Sequence, residues 1–203
     1  MAIALIDYGA GNLTSVRKGF SAVGAELFTP QRPSDVETAA GIVVPGVGHF
    51  GATTAISSDW RRAILHAIDA AVPLLGICLG LQWLFDGSDE APGVAGLGLI
   101  PGTCARLSAP PPLKVPHVGW NALDVRRGAP LLEGIENGTT MYFTHAYAAP
   151  ATPACVATAT HGDTFCAVVS GGRVHGVQFH PEKSGAAGLR ILRNFVAMVS
   201  HAV

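Results

Sequence analysis

Two short apolar runs, Ile42-Val43-Val44 and Leu74-Leu75-Gly76-Ile77, each stop at a glycine-bearing turn. An unbroken apolar run of this length belongs to a strand covered on both faces, not to one that alternates between core and water. Covering both faces takes helices, and the neighbouring segments supply them. Asn12 is placed to cap a helix over 13–23, in which Val16, Phe20 and Val23 form an apolar stripe. Asp59 starts a second helix carrying Trp60, Ile64, Leu65 and Ile68, and 79–85 reads as a third. With strands at 3–6 and Leu27-Phe28, the first half has a βαβα rhythm, which calls for a parallel sheet flanked by helices.

The second half changes character. Ala109-Pro110-Pro111-Pro112 is a loop, and short strands are predicted at 117–123, 140–143, 155–159, 165–170 and 174–179. Gly171-Gly172 marks a hairpin between the last two. A closing helix over 185–199 turns Leu189, Leu192, Val196 and Val199 inward. The expectation is one α/β domain over 1–203. Its central sheet is mostly parallel with flanking helices, and some later strands are antiparallel.

Composition narrows the function classes. With 49% hydrophobic and 13% charged residues, the chain can fill a large core but has little charge for its surface. A net charge of −1 leaves no basic excess for nucleic acid. The N-terminal run has no basic flank and ends at Asp7, so it reads as a strand and not a signal peptide. No apolar run is long enough to span a bilayer. Cys78, Cys104, Cys155 and Cys166 have no C-x-x-C spacing, and the chain is expected in the cytoplasm with reduced thiols.

The chemistry concentrates at Gly76-Ile77-Cys78-Leu79-Gly80, a G-x-C-x-G at the junction of a buried strand and a helix. This is the nucleophile-elbow pattern with cysteine in place of serine. A cysteine there sits at a helix N-terminus, where the dipole favours thiolate. A nucleophile needs a base, and the base needs an orienting group. Of eight histidines, His66 lies inside a helix and His201 in the tail. His180 precedes Pro181, which holds it extended, so Glu182 projects to the same side as its imidazole. The set Cys78, His180, Glu182 follows. Pro45-Gly46-Val47-Gly48 offers backbone donors for an oxyanion, with the amide of Leu79 as a second donor. Gly9-Ala10-Gly11 fails as a dinucleotide loop because Thr14 stands where G-x-G-x-x-G needs glycine. His117, His145, His175 and His180 share no metal spacing, and neither a metal nor a cofactor is expected.

Gly76–Gly80 with Gln82, together with the His180-Pro181-Glu182 segment, resembles the elbow and the H-P-E segment of class I glutamine amidotransferases. Asp7–Asn12, Pro116–Asn121, 142–147 and the Lys183-Ser184 ending are similar to the glutaminase subunits of imidazole glycerol phosphate synthase. The motifs run from Asp7 to Ser184, nearly the whole chain. The resemblance implies hydrolysis of glutamine through a thioester on Cys78, with His180 as acid and base and Glu182 holding its tautomer. It implies that Gly48, Gln82, Glu90, His145, Ala146 and Tyr147 hold glutamine, and that Val47, Gly48 and Leu79 serve the oxyanion. Asn12, Trp120, Tyr142 and Lys183 would face a (β/α)₈ cyclase subunit that receives the ammonia for histidine biosynthesis. Ala146 stands where the family usually carries a small hydroxyl residue; a backbone contact survives that change and a hydroxyl contact does not. The chain alone is expected to turn over little glutamine, because the Gly-rich oxyanion loop can rest in an unproductive flip until the partner's ligand binds. Two other readings are a glutaminase subunit of another synthase, of the pyridoxal phosphate type, and an inactive amidotransferase scaffold. Pro116–Asn121 and Lys183 speak against the first, and the intact Cys78, His180, Glu182 set against the second.

Overall fold

A computed structural model gives the structure of residues 2–201. The first half has the predicted alternation: β1 (Ile3–Leu5), α1 (Leu13–Ser21), β2 (Leu27–Phe28), β3 (Gly41–Val44), α2 (Ser58–Asp69), β4 (Leu74–Ile77) and α3 (Leu79–Trp83). Then follow β5 (Phe85–Ser88), β6 (Ile100–Arg106), β7 (His117–Ala122), β8 (Asp124–Val125), β9 (Thr140–His145), β10 (Tyr147–Ala148), β11 (Cys155–His161), β12 (Asp163–Gly171), β13 (Val174–Val177) and α4 (Gly185–Ser200).

The main sheet has eight strands in the order β2-β1-β3-β4-β13-β12-β11-β8. Its first five strands are parallel and the rest add antiparallel. All residues of β3 and β4 are buried, as a strand between two helical layers requires. One face packs Phe20 of α1 and Ile191, Leu192, Phe195 and Val199 of α4; the other packs Ile64 of α2 and Leu81 and Trp83 of α3. Leu189 and Val196 lie half-buried at the flanks of the α4 stripe. Two smaller sheets, β10-β6-β5 and β7-β9, stand beside the main one.

Strands β5, β6, β8 and β10 are absent from the sequence expectation, most other element ends shift by one or two residues, and three of the differences have a visible cause. Helix α1 stops at Ser21, before Val23, because Gly24 adopts φ +81 and the Ala25 amide bonds back to the Phe20 carbonyl. Helix α3 ends at Trp83, not at residue 85. The amides of Leu99 and Ile100 take the Leu84 carbonyl, and Phe85 leaves to pair with Ile100 in β6. The last hairpin turns at Gly172-Arg173, since Gly171 still pairs with Val174.

Candidate active site

Strands β4 and β13 run parallel in register, Ile77 beside Val177, so their carboxyl ends open together. The chain leaves β4 at Cys78, whose amide donates to the Val177 carbonyl at 2.8 Å. Cys78 has φ 54° and ψ −104°, a left-handed backbone that a non-glycine residue adopts only under strain. The flanking glycines make this turn fit. A Cβ on Gly80 would lie 1.8 Å from the Val44 carbonyl oxygen, and one on Gly76 would lie 2.6 Å from Gly80. Helix α3 has five residues, so the dipole at Cys78 is that of little more than one turn. The buried thiol accepts a hydrogen bond from Gln178 Nε2 at 3.6 Å and stands 4.0 Å from the Thr144 carbonyl oxygen.

Beyond β13 the chain reaches His180, whose amide donates to the Tyr142 carbonyl at 2.9 Å. Its Nδ1 lies 2.9 Å from Glu182 Oε1, and both side chains are only 3% exposed. An N–H on Nδ1 donates to the carboxylate, which leaves Nε2 as the reactive nitrogen; Nε2 has no hydrogen-bond partner. Burial works against a charged imidazole, but neighbouring Cys78 and Glu182 outweigh it and raise the His180 pKa to about 9. The Ser184 hydroxyl donates to the His180 carbonyl at 2.7 Å and accepts from the Tyr142 amide at 3.0 Å, which clamps the turn to β9.

A small cleft of about 40 Å³ opens over Cys78. Gly48, Leu79, Gln82, Glu90, His145, Ala146 and Tyr147 all line it, together with Thr144. Several of their polar groups are already engaged. Gln82 Nε2 donates to the Tyr147 carbonyl at 2.8 Å and to Gln178 Oε1 at 3.2 Å. Glu90 Oε2 accepts the Phe50 amide at 2.7 Å. Both ring nitrogens of His145 bond within the protein, so this ring is a brace of the wall and not a free donor.

The 45–48 loop contributes to this cleft through Gly48 and to a second one through Pro45, Gly46 and Val47. His180, Glu182, Asn12 and Lys183 line the second cleft. The Leu79 amide donates to the Gly46 carbonyl at 3.2 Å, so in this state it is not available to an oxyanion. Tyr8 pins the loop by donating to the Pro45 carbonyl at 2.8 Å, and burial holds its phenol well above its ordinary pKa.

The expected partner-facing residues adjoin one another. Trp120 is 57% exposed and meets the Tyr142 ring edge-on at 6.1 Å, with Lys183 Nζ 5.8 Å from that ring. Val118, on the same side of β7, is also exposed. Asn12 spends its side-chain oxygen on the Ser15 amide as the cap of α1. Sequence reasoning missed Gln178, which touches the thiol, and Ser184, which clamps the turn. A buried polar residue two before His180 was the available signal for Gln178. Among the described residues no three His, Cys, Asp or Glu side chains form a group that could hold a metal, and no helix is long and apolar enough to cross a membrane.

A strained cysteine at the end of a buried parallel strand, beside a buried histidine–carboxylate pair, is the equipment of an α/β protein for acyl transfer through a thiol. The family model for class-I glutamine amidotransferases matches residues 4–199. The imidazole glycerol phosphate synthase subunit HisH of Methanothermobacter thermautotrophicus is 46% identical over 97% of this chain and 98% of its own. HisH of Halobacterium salinarum is 47% identical over 96% and 92%. Among solved structures, a glutamine amidotransferase crystal structure has a TM-score of 0.75 at 17% identity, covering 97% of this chain and 98% of its own. The glutaminase domain of Trypanosoma brucei CTPS with bound acivicin has 0.69 at 15%, covering 99% and 94%. The chain belongs to the class-I glutamine amidotransferases, and within them to the HisH subunits of imidazole glycerol phosphate synthase.

Proposed function

We propose that this chain, a glutaminase subunit of imidazole glycerol phosphate synthase in histidine biosynthesis, works through Cys78, His180 and Glu182. The observation that carries the assignment is the pairing of β4 with β13, which sets the Cys78 elbow beside the His180–Glu182 pair. The Cys78 thiolate attacks the side-chain carbonyl carbon of glutamine. His180 gives its Nε2 proton to the departing nitrogen, which leaves as ammonia, and a glutamyl thioester remains. Neutral His180 then takes a proton from water, the hydroxide attacks the thioester, and glutamate and the thiol are released. Glu182 keeps Nδ1 protonated throughout.

Glutamine would lie in the cleft over Cys78 with its amino-acid end towards Gln82, Glu90 and the 145–147 segment. Glu90 suits the α-ammonium, and Val47, Gly48 and Leu79 would serve the oxyanion once the 45–48 loop turns. The released ammonia is useful to a second site only while unprotonated, so a closed interface with a (β/α)₈ cyclase subunit is the reading that fits. Trp120, Tyr142 and Lys183, with Asn12, would form this chain's part of that interface. The test is glutamate release from glutamine with and without the cyclase and its ribonucleotide ligand, using Cys78→Ala as control. Strong stimulation that vanishes in the variant is the expected result. No release under any condition would leave a scaffold as the better reading.

A further inference from the structure

Beside the cleft, and outside the acyl-transfer machinery, lies a chain of hydrogen bonds, buried at His117 and His145 and open towards solvent at Asn121, whose direction is fixed by its ends. His145 Nδ1 is 3.0 Å from the Tyr147 carbonyl oxygen. A carbonyl only accepts, so Nδ1 carries the proton. Burial, with His117 close by, lowers the His145 pKa to about 3, so the ring is neutral and its Nε2 is a bare acceptor. That Nε2 is 3.2 Å from His117 Nδ1, which must therefore carry a proton in turn. Burial lowers the His117 pKa to about 4, which leaves its Nε2 bare as well. Asn121 Nδ2 stands 3.4 Å from that nitrogen and donates to it. The Asn121 amide orientation is set independently: Nδ2 donates to the Thr160 carbonyl at 2.8 Å, and Oδ1 accepts the Ala122 amide at 2.9 Å. Every donor thus points one way, from Asn121 through His117 and His145 to Tyr147.

The end point matters because the Tyr147 carbonyl also takes the Gln82 amide at 2.8 Å, and Gln82 and Tyr147 both line the cleft. The relay cannot swing easily. His117 is stacked between the rings of Phe143 at 5.0 Å and His161 at 4.1 Å, and His145 meets Phe165 edge-on at 4.9 Å. The His161 ring is held by the Lys114 carbonyl at 2.8 Å. A donor chain in which each of two buried neutral rings must take one tautomer specifies a single geometry there.

We propose that His117 and Asn121 are positioning residues for glutamine: acting through His145, they fix the 144–147 wall against Gln82, so that the cleft is preformed for the substrate. This rests on the glutaminase reading above, and the test separates the two. The first measurement is the ¹⁵N spectrum of the histidine rings in the full chain. It should show His117 and His145 both protonated on Nδ1, the less common tautomer of free histidine. The second is glutamine kinetics of the complex with the cyclase subunit. His117→Phe keeps the stacked ring and removes the donor, and should raise the glutamine KM about tenfold with little change in kcat. His117→Asn restores a donor near the Nδ1 position and should recover most of that loss. An Nε2-protonated ring at either position overturns the proposal. So does an equal rise in KM for the Phe and Asn variants, which would mark a packing role, or a fall in kcat at unchanged KM. A parent complex that releases no glutamate overturns the glutaminase reading instead, while the ring spectrum still decides the relay.

Discussion

The amide of Leu79 donates to the carbonyl oxygen of Gly46 at 3.2 Å, so a donor that follows the nucleophile in the chain is satisfied by the loop opposite. The walls of the cleft are meanwhile already in place. Substrate binding and turnover should therefore separate. Glutamine should bind the free chain about as well as the complex, measured calorimetrically on Cys78→Ala. The glutaminase kcat should rise about 100-fold or more on assembly with the cyclase and its ligand, the magnitude associated with one oxyanion donor. A free chain that already turns over at the assembled rate would sink this account.

Glu182 is one of the causes that raise His180 to about 9. A raised histidine pKa favours the charged ring in the fold. Its stabilisation is complete below the ordinary value near 6.5 and is lost as the pH climbs through about 9. The alkaline limb of kcat/KM should accordingly lie near pH 9. Glu182→Gln should move that limb to lower pH and cut kcat by about 10³ to 10⁴, since the amide no longer holds the Nδ1 proton as a carboxylate does. A pH–rate series on both proteins measures this.

Gly80 has no room for a methyl group, because its Cβ would sit 1.8 Å from a backbone oxygen of β3, a strand held on both sides by the sheet. Gly80→Ala should destabilise by about 3 kcal/mol or more. In a chain of this size that lowers Tm by roughly 6–12 °C in a thermal melt. An unchanged melting curve would mean that the elbow can move away from β3.

Trp120 is exposed, rests edge-on against Tyr142 and adds nothing to the core. Trp120→Ala should leave Tm within a degree or two. It should weaken cyclase binding by about 30-fold, as loss of an aromatic anchor does. Titration calorimetry beside a melt reads both. Loss of stability with intact binding would place the interface elsewhere.

Ala146 lines the cleft without a hydroxyl. Ala146→Ser should lower the glutamine KM by about two- to tenfold if the added group reaches the substrate, the range of one net hydrogen bond. Steady-state kinetics of the complex settle the sign.

The elbow was legible because strand, glycines and cysteine are contiguous, and because the glycines answer a steric demand made by the β3 backbone. His180 and Glu182 were legible because they lie together in one short segment, but the expected extended geometry was wrong: only His180 is extended, and Glu182 reaches its ring from a 3-10 turn over Pro181–Lys183. The sheet was read as mostly parallel, and the antiparallel half was seen through its hairpin at Gly172. What escaped depends on groups far apart in the chain. The end of α3 at Trp83 is set by amides at 97, 99 and 100, which no window around residue 85 contains. The ring of His145 reads as a substrate contact until His117, 28 residues earlier, is seen to occupy it. The engagement of Leu79 by Gly46 joins residues on separate strand ends, and no local pattern announces it.

The insertion of β13 between β4 and β12 also has a consequence for the newborn chain. Cys78 leaves the ribosome about 100 residues before His180, and the slot beside β4 stays open until Val174–Val177 arrive. Until then the thiol has neither the His180–Glu182 pair nor the Gln178 donor beside it. Synthesis order thus completes the site last: Cys78 meets the His180–Glu182 pair only when nearly the whole polypeptide has been made, and a chain cut short before residue 174 carries an elbow without them.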